Sequence, residues 1–507
     1  MNLKSLVLRA NVSLSLMGKA NDEHKMQNVS EGLKKNTRLK ELKLQFNDLK
    51  TQKINSLCSS LKINSTLKSL NLDYNSIGDE EMKMLSEVLK INNSLENLRL
   101  MSNKIGLQGI KYISKALNPN SSLKILDLSL NKLEDDSIKE ICESLIKNST
   151  IKVLNLSKNE IGKQGIEYIS EMLEKNRILR EIELGGNYNR KQEKNRFGKF
   201  SESLKINKSL AILDLNRCQL RDEEIESLSD SFKVNNSLEF INLSVNSFSD
   251  RVFPILFDSL KFNKNLKVLS VAENQLGNHG LKLVTEYLKN NDSLTFLDLS
   301  INRIGNESMC QFCESLKLNT NLQIINFYSN STNYGFGYFI DTLSVNKTLK
   351  IINIQDANFE KCAKFLCDYL SNIPSLYPFF NSSDKDMKEK IGKSWLLESL
   401  HNKFPLNRTL YKIRFNEEDL QFLLSCNFEW TPHLHSTMFE CFKSSVLSLY
   451  ICTHVIERKY KFKLPKFLFY EIIKMIDRKS YLQLWKSTKK EAVEEKKESF
   501  GSYYDDY

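Results

Sequence analysis

The chain has 507 residues, 27% of them charged, and a formal net charge of +11 at pH 7. The charge is spread evenly: residues 1 to 372 carry 51 Lys or Arg against 44 Asp or Glu, and residues 373 to 507 carry 22 against 18. This balance disfavours nucleic-acid binding. No apolar run is long enough to span a bilayer, so the sequence predicts neither a membrane span nor a signal peptide, and we expect a cytoplasmic protein, with the nucleus as the alternative.

The ten cysteines and six histidines give no sign of a cofactor, metal or catalytic site. The cysteines are scattered, without the dense pattern of a secreted disulfide scaffold, so most of them are predicted to be core thiols. Cys310 and Cys313 fall in a predicted helix and have no second pair at zinc spacing. No Gly-rich phosphate loop occurs, and no nucleophile has a recognisable base beside it. We therefore predict no enzymatic activity and no cofactor.

One phrase recurs along the chain, Asn-x-Ser/Thr-Leu-x-x-Leu-x-Leu-x-x-Asn-x-Ile-Gly, as at 64–78 and 92–106. The last Asn of the phrase marks thirteen positions along the chain. Nine of the twelve intervals between successive positions are 28 residues, and the others are 36, 31 and 27. A period this regular predicts stacked units that bury one continuous core. We call the position of this last Asn the landmark slot, which Cys218 and Ala357 fill in two repeats. The landmark slots are Asn11, Asn47, Asn75, Asn103, Asn131, Asn159, Asn187, Cys218, Asn246, Asn274, Asn302, Asn330 and Ala357.

Each unit is predicted to be a short strand followed by a helix. Leu67, Leu70 and Leu72 have the spacing of a strand with inward side chains, and Asn75 is predicted to bond to backbone groups where the chain leaves the strand. After the Ile-Gly turn, Met82, Leu85, Val88 and Leu89 recur at helical spacing. The consensus itself creates Asn-x-Ser/Thr triplets such as 148–150, so they are not interpreted as glycosylation sites.

This pattern resembles the leucine-rich repeat family, and its 28-residue period is similar to the ribonuclease-inhibitor-like class. The resemblance implies an α/β solenoid, or horseshoe, with a parallel sheet on the concave face and helices on the convex face. We predict about 13 repeats over residues 1–372. At the N-terminus, Leu3, Leu6 and Leu8 match the strand phrase, which predicts a first strand with an open apolar edge before the 36-residue interval.

The later repeats contain a candidate contact strip. Outward side chains lie six, four and two residues before the landmark Asn, and the column at minus six is apolar from the eighth repeat onward. Such a strip reaches the size at which exposed apolar patches on proteins indicate contact surfaces. The residues are Ile212, Phe240, Val268, Phe296, Ile324 and Ile351.

A second candidate site is the three-residue insertion between Asn187 and Cys218, which contains Arg190 and Arg196. Insertions in solenoids fall on a rim and are often functional. Both arginines are therefore predicted contacts for an acidic partner or a phosphate. Ran GTPase-activating proteins share this repeat class and act through rim loops, so a Ran-type activator of a small GTPase is one alternative, although their catalytic loop sequence is not recognisable here.

Composition shifts near residue 372, because all three Trp and five of the seven Pro lie beyond it. Residues 373–406 are interpreted as an insertion or linker, and 407–430 as a last strand and helix of the repeat type. Residues 431–486 are predicted to form helices that either cap the solenoid or dock a partner. Residues 487–507 are a charged tail, interpreted as disordered.

The docking alternative depends on the motif around Leu464, Pro465, Leu468 and Ile472, which is similar to the opening of an F-box. A weaker likeness to a SOCS box runs from Ile451 to Pro465. Either resemblance implies a substrate receptor that binds the adaptor of a cullin-type ubiquitin ligase. The motif departs from the F-box pattern because F-boxes usually precede the repeats and a charged tail truncates it here.

From the sequence we therefore predict an intracellular protein-protein interaction scaffold that recognises a protein partner through the concave face and rim of the solenoid. The ligase receptor and the GTPase activator are the alternatives. The sequence leaves open the partner, the oligomeric state and the completeness of the N-terminus.

Overall fold

The computed structural model describes residues 3–188, 194–330, 338, 342, 345–353 and 412–414. The described residues contain fourteen strands of three residues each. The strands are β1 (Ser13–Ser15), β2 (Glu41–Lys43), β3 (Ser69–Asn71), β4 (Asn97–Arg99), β5 (Ile125–Asp127), β6 (Val153–Asn155), β7 (Glu181–Glu183), β8 (Ile212–Asp214), β9 (Phe240–Asn242), β10 (Val268–Ser270), β11 (Phe296–Asp298), β12 (Ile324–Asn326), β13 (Ile351–Asn353) and β14 (Lys412–Arg414).

Helices alternate with these strands through most of the described chain. The α-helices are α1 (Leu3–Arg9), α2 (Glu23–Lys35), α3 (Thr51–Leu61), α4 (Asp79–Leu89), α5 (Leu107–Leu117), α6 (Asp135–Lys147), α7 (Lys163–Lys175), α8 (Gly198–Ile206), α9 (Asp222–Phe232), α10 (Phe253–Leu260), α11 (Asn278–Asn290) and α12 (Met309–Leu318). Short 3-10 turns, Asp250–Val252 and Asn306–Ser308, precede α10 and α12.

All fourteen strands belong to one parallel sheet whose spatial order is the chain order. Neighbouring strands pair in register at the repeat interval, so that Ser69 lies opposite Asn97 and Leu70 opposite Leu98. Each helix packs against the helices of the adjacent repeats. This is the α/β leucine-rich repeat solenoid predicted from the sequence, with the sheet on the concave face and the helices on the convex face.

The core lies between the sheet and the helices. The middle residue of a strand points inward, as Leu70 does, and Leu67 and Leu72 are buried on the same side. From the helix side, the predicted residues Met82, Leu85, Val88 and Leu89 are all buried. Because each repeat buries its apolar face only against its neighbours, the core runs continuously through the described repeats.

The landmark asparagines form a hydrogen-bonded ladder along the edge where the strands end. The Nδ2 group of Asn75 donates to the carbonyl oxygens of Leu44, Leu72 and Asp73. Its Oδ1 accepts from the backbone N–H of Asn47 at 2.7 Å. One buried amide thus satisfies backbone groups in two repeats, which confirms the predicted role of this Asn.

A second ladder, which the sequence pattern did not reveal, runs along the opposite edge. Asn148 donates from Nδ2 to the carbonyl oxygen of Leu117 at 2.8 Å, and its Oδ1 accepts from the N–H groups of Thr150 and Ile151. The side chain is buried. This explains the first Asn of the repeated phrase, and it also makes the Asn of that triplet inaccessible to glycosylation in the folded protein.

The N-terminal prediction is wrong. Residues 3–9 form helix α1 and not a strand, and Val7 on this helix is fully buried against α2. Gly32 allows the close approach, because a Cβ there would lie 2.7 Å from the Cβ of Val7. The first strand is β1, which pairs with β2 at the regular interval of 28 residues. The landmark slot of this repeat is therefore Lys19, not Asn11, and the 36-residue interval disappears.

Candidate functional site

The candidate site is the exposed face of the sheet, where the first and third residues of β1 to β12 point away from the core. Alternation along a strand forces this arrangement once the middle residue is buried. Since the strands pair in register, equivalent residues from successive repeats form columns across the sheet. Two columns, at minus six and minus four from the landmark slot, define what we call the concave face.

The minus-six column becomes apolar in the second half of the described sheet. Pairing places the members directly opposite one another, from β8 through β13. The first five members are partly buried, with part of each side chain accessible to solvent. We call Ile212, Phe240, Val268, Phe296, Ile324 and Ile351 the apolar column. The structure thus brings together all six residues that the sequence pattern selected, without testing what they bind.

The neighbouring minus-four column is polar and is held by hydrogen bonds among its own members and the residues beside them. Asn242 donates from Nδ2 to Oδ2 of Asp214 at 3.0 Å. In the next repeats, the hydroxyl groups of Ser244 and Ser270 lie 2.6 Å apart, and Oδ1 of Asp298 accepts from the N–H and hydroxyl of Ser300. These bonds fix the rotamers beside the apolar column, so this part of the face is preorganised.

Negative charge accumulates at the centre of the concave face. The pKa of Glu183 is raised from its ordinary value of 4.5 to about 7, because of partial burial and the nearby carboxylates of Glu181, Asp127 and Asp214. A carboxyl group with this pKa lies where added positive charge from a ligand would be favourable. Among the described residues, no group of three or more His, Cys, Asp or Glu side chains is arranged to hold a metal ion.

The basic side chains at the start of the minus-four column are paired within the face. Arg99 lies between two carboxylates, with Nη2 3.4 Å from Oδ2 of Asp127 and Nε 3.9 Å from Oδ2 of Asp73. Nζ of Lys43 lies 3.4 Å from Oε1 of Glu41 on the same strand. These partners reduce the positive charge available to an anionic ligand.

Arg196 does not project from the insertion, so the prediction that it contacts a partner is wrong. Its side chain is only 2% exposed, and Nη2 donates to the backbone oxygen of Asn187 at 2.8 Å. The guanidinium also lies over the ring of Phe197, 5.0 Å from its centroid. Sequence reasoning failed here because it treated the whole insertion as surface. Arg190 lies outside the described residues.

The docking-module candidates Leu464, Pro465, Leu468 and Ile472 also lie outside the described residues, as do the linker and the charged tail. The ligase receptor therefore stays a sequence prediction. The GTPase activator likewise stays a prediction. Arg196 is no longer a candidate for a side chain that contacts the GTPase, because it is buried.

The structure reveals one set of exposed apolar residues that sequence reasoning missed. Each of them directly precedes an Asn of the second ladder, at the edge where helices lead into strands. Their exposure ranges from 49 to 70%. They are Ile63, Ile91, Ile206, Val234, Phe262, Leu318 and Val345. The sequence did contain a signal for this set. A Lys near the end of the helix is followed by an apolar residue and then by Asn in several repeats, as in Lys62-Ile63-Asn64.

Comparison with known protein families agrees with this repeat architecture. The family model described as Leucine Rich repeat matches residues 64–86, 92–114, 120–142, 147–170 and 262–284. Comparison with curated proteins gives no significant match.

Three solved structures are similar to the chain at low identity. A chain of the yeast Rad7 and Elc1 complex is 18% identical, with 65% of this chain and 73% of that chain covered and a TM-score of 0.41. An internalin from Listeria monocytogenes is also 18% identical, with coverages of 65% and 88% and a TM-score of 0.39. Actin-binding site 2 of leiomodin-1 is 22% identical, with coverages of 30% and 86% and a TM-score of 0.27. None of these likenesses carries a conclusion about function.

No helix among the described residues is both long and apolar enough to cross a membrane. The matched repeats and the continuous parallel sheet together identify the repeating unit, and such repeats indicate a protein-interaction scaffold. The chain is a leucine-rich repeat protein.

Proposed function

We propose that the chain is a scaffold that binds a protein partner on the concave face, at the strands from β8 to β13. The observation that supports this proposal most directly is the in-register apolar column, whose first five members remain partly accessible beside the polar minus-four column. A repeat protein gains nothing in stability by leaving Phe240 and Phe296 partly exposed to solvent, whereas a partner would bury them fully.

Rigidity supports the same proposal. The apolar column lies on strands whose backbone bonds are made within the sheet, and the adjacent polar column is cross-linked through Asp214, Asn242, Ser244 and Ser270. Binding on such a surface requires little ordering of side chains, so more of the burial energy appears as affinity.

The charges suggest which partner fits. Glu181, Glu183 and Asp214 lie beside the beginning of the apolar column, and the pKa of Glu183 is raised by its partial burial and then by the carboxylates around it. A segment that carries apolar side chains and a Lys or Arg near one end would complement both features. We therefore infer a basic, partly apolar segment of another protein as the partner.

Affinity purification with quantitative mass spectrometry tests this proposal. The wild-type chain is compared with Phe240→Asp combined with Phe296→Asp, which places charge in the middle of the apolar column. We expect at least about a tenfold loss of the principal partner. The matched control is Ser69→Asp combined with Asn97→Asp, at the same column in β3 and β4, and this variant is expected to retain the partner. Equal recovery with both variants would refute concave-face binding.

A further inference from the structure

The C-terminal ends of the helices and the loops that lead from them into the strands form an edge of unusual composition. They comprise twelve five-residue segments, 34–38, 62–66, 90–94, 118–122, 146–150, 174–178, 205–209, 233–237, 261–265, 289–293, 317–321 and 344–348. These segments contain sixteen Lys or Arg but only two acidic residues. We call this edge the basic rim.

The opposite edge has no such bias. Its twelve five-residue segments begin at the landmark slots, that is at residues 19, 47, 75, 103, 131, 159, 187, 218, 246, 274, 302 and 330, and they contain nine basic and nine acidic residues. Lysines near helix C-termini are favoured by the helix dipole, which explains part of the excess on the basic rim. The dipole does not explain the apolar residues beside them.

Those apolar residues are not required by the fold. The position before the ladder Asn is occupied by Ile, Val, Phe or Leu in seven of the twelve segments, but by Lys, Pro or Asn in the others, including Lys147, Lys175 and Asn290. The side chains protrude from the edge, and Leu318 at 70% and Ile63 at 63% are the most exposed of the seven. Because polar residues serve equally well in other repeats, the apolar ones indicate a contact surface.

Ion pairs on the helices leave a positive excess on the basic rim. In seven of its lysines, Nζ lies 3.3 Å or less from a carboxylate oxygen of the residue three positions earlier. For example, Nζ of Lys261 lies 2.8 Å from Oδ1 of Asp258. These pairs are largely solvent-exposed, so each contributes little stability and a lysine can exchange its carboxylate for another anion. Even if all seven are counted as neutral, basic residues still outnumber the two acidic ones of the rim.

We propose that the basic rim docks on an anionic lipid bilayer. Apolar side chains from Ile206 to Val345 would enter the interface, and neighbouring lysines would contact lipid phosphate groups. Exposed apolar residues interspersed with lysines are the combination that holds proteins at the surface of an anionic membrane.

The spacing favours a bilayer over a protein surface as the occupant. Five of the six repeats from Ile206 to Val345 contribute one apolar side chain each, and the sixth has Asn290. Successive repeats are separated by about 5 Å at the strands and about 10 Å at the helices. A protein partner would need a separate matched pocket for each protruding side chain. A fluid bilayer accepts a row of separate side chains without matching, and the lysines between them remain at the level of the phosphates.

Vesicle co-sedimentation of the full chain tests the proposal, with phosphatidylcholine vesicles that contain about 30% phosphatidylserine and with vesicles of phosphatidylcholine alone. We expect binding to the anionic vesicles and about tenfold weaker binding to the neutral ones. Phe262→Ser combined with Leu318→Ser should weaken binding to the anionic vesicles by about tenfold. The matched control, Leu130→Ser combined with Ile301→Ser, removes two exposed apolar side chains from the opposite edge and should bind like the wild type.

Thermal unfolding of each variant establishes that it is folded. If the Phe262 and Leu318 variant proves unstable, Lys261→Gln combined with Lys264→Gln replaces it and should also weaken binding. Absence of vesicle binding by the wild type would overturn the proposal. The proposal would also fail if the rim variants bound vesicles like the wild type, because lipid binding would then lie elsewhere on the protein. Binding of a DNA oligonucleotide through the rim, without binding of vesicles, would contradict it as well.

Discussion

The guanidinium of Arg196 donates a hydrogen bond from Nη2 to the backbone oxygen of Asn187, nine residues earlier, at 2.8 Å. Lys53 makes the corresponding bond in an early repeat, from Nζ to the backbone oxygen of Asn47 six residues earlier, at 3.0 Å. The three-residue insertion accounts for the difference in spacing. A basic side chain from the following helical region thus satisfies the same carbonyl in both repeats, and Arg196 belongs to the architecture of the solenoid.

We predict that Arg196→Ala lowers the free energy of unfolding by about 2 to 3 kcal/mol, because it leaves a buried carbonyl without this donor and removes a packed side chain. Arg196→Lys should recover part of the loss, since Lys53 performs the same role. Chemical denaturation of both variants measures the effect. Lys194→Ala, at an exposed position of the same insertion, serves as the control, and an equal loss in the control would contradict the structural role.

The landmark ladder predicts a large effect at Asn159. Its Oδ1 accepts from the N–H groups of Asn131 and Leu133, and its Nδ2 donates to the carbonyls of Leu128 and Leu156. Asn159→Ala should therefore destabilise the protein by about 2 to 4 kcal/mol. The same change at the exposed Asn290 should cost less than about 0.5 kcal/mol. Similar denaturation midpoints for the two variants would refute the ladder's contribution.

The acidic centre of the concave face predicts a pH dependence. The folded-state pKa of Glu183, about 7, lies above its ordinary value of 4.5, so the folded protein holds this proton more tightly than the unfolded chain. Its contribution to stability is therefore lost as pH rises from about 4.5 through about 7. Glu183→Gln should raise the melting temperature at pH 8 but leave it almost unchanged at pH 4. Equal shifts at both pH values would show that ionisation of Glu183 is not the cause.

The cysteines predict selective chemical modification. Cys58 is buried, which raises the pKa of its thiol to about 12, and burial also raises the pKa of Cys142, Cys218 and Cys313. Cys310 is exposed. Among these five residues, iodoacetamide should label Cys310 first under native conditions, because the thiolate and access to it are both required. Peptide mass spectrometry over a time course measures the order, and early labelling of Cys142 would contradict the packing.

Much of the fold was predictable because a period of 28 residues fixes which side chains point inward. Leu70 and Met82 were assigned to the core from spacing alone, and both are buried. The N-terminus failed because Leu3, Leu6 and Leu8 fit a strand phrase, while Leu3, Leu6 and Val7 fit a helix equally well. The packing of Val7 against Gly32 and the pairing of β1 with β2 distinguish the two patterns.

The candidate site was predictable to a smaller extent. The register of the strands follows from the period, so the apolar column could be placed before the structure was known. Spacing does not report how an irregular insertion folds back, which is why Arg196 was expected on the surface. The exposure of Ile63 and Phe262 was also missed, because an apolar residue at a helix end is usually interpreted as core.

Site-specific photo-crosslinking tests the central proposal most directly. A photoreactive phenylalanine analogue at position 296 lies in the middle of the apolar column, and the same analogue at position 143 replaces the exposed Glu143 on the convex helix α6. Our account predicts that crosslinks to the principal partner form at 296 and are lost when Phe240→Asp is added, with none at 143. Crosslinks of the partner at 143 and none at 296 would contradict recognition on the concave face.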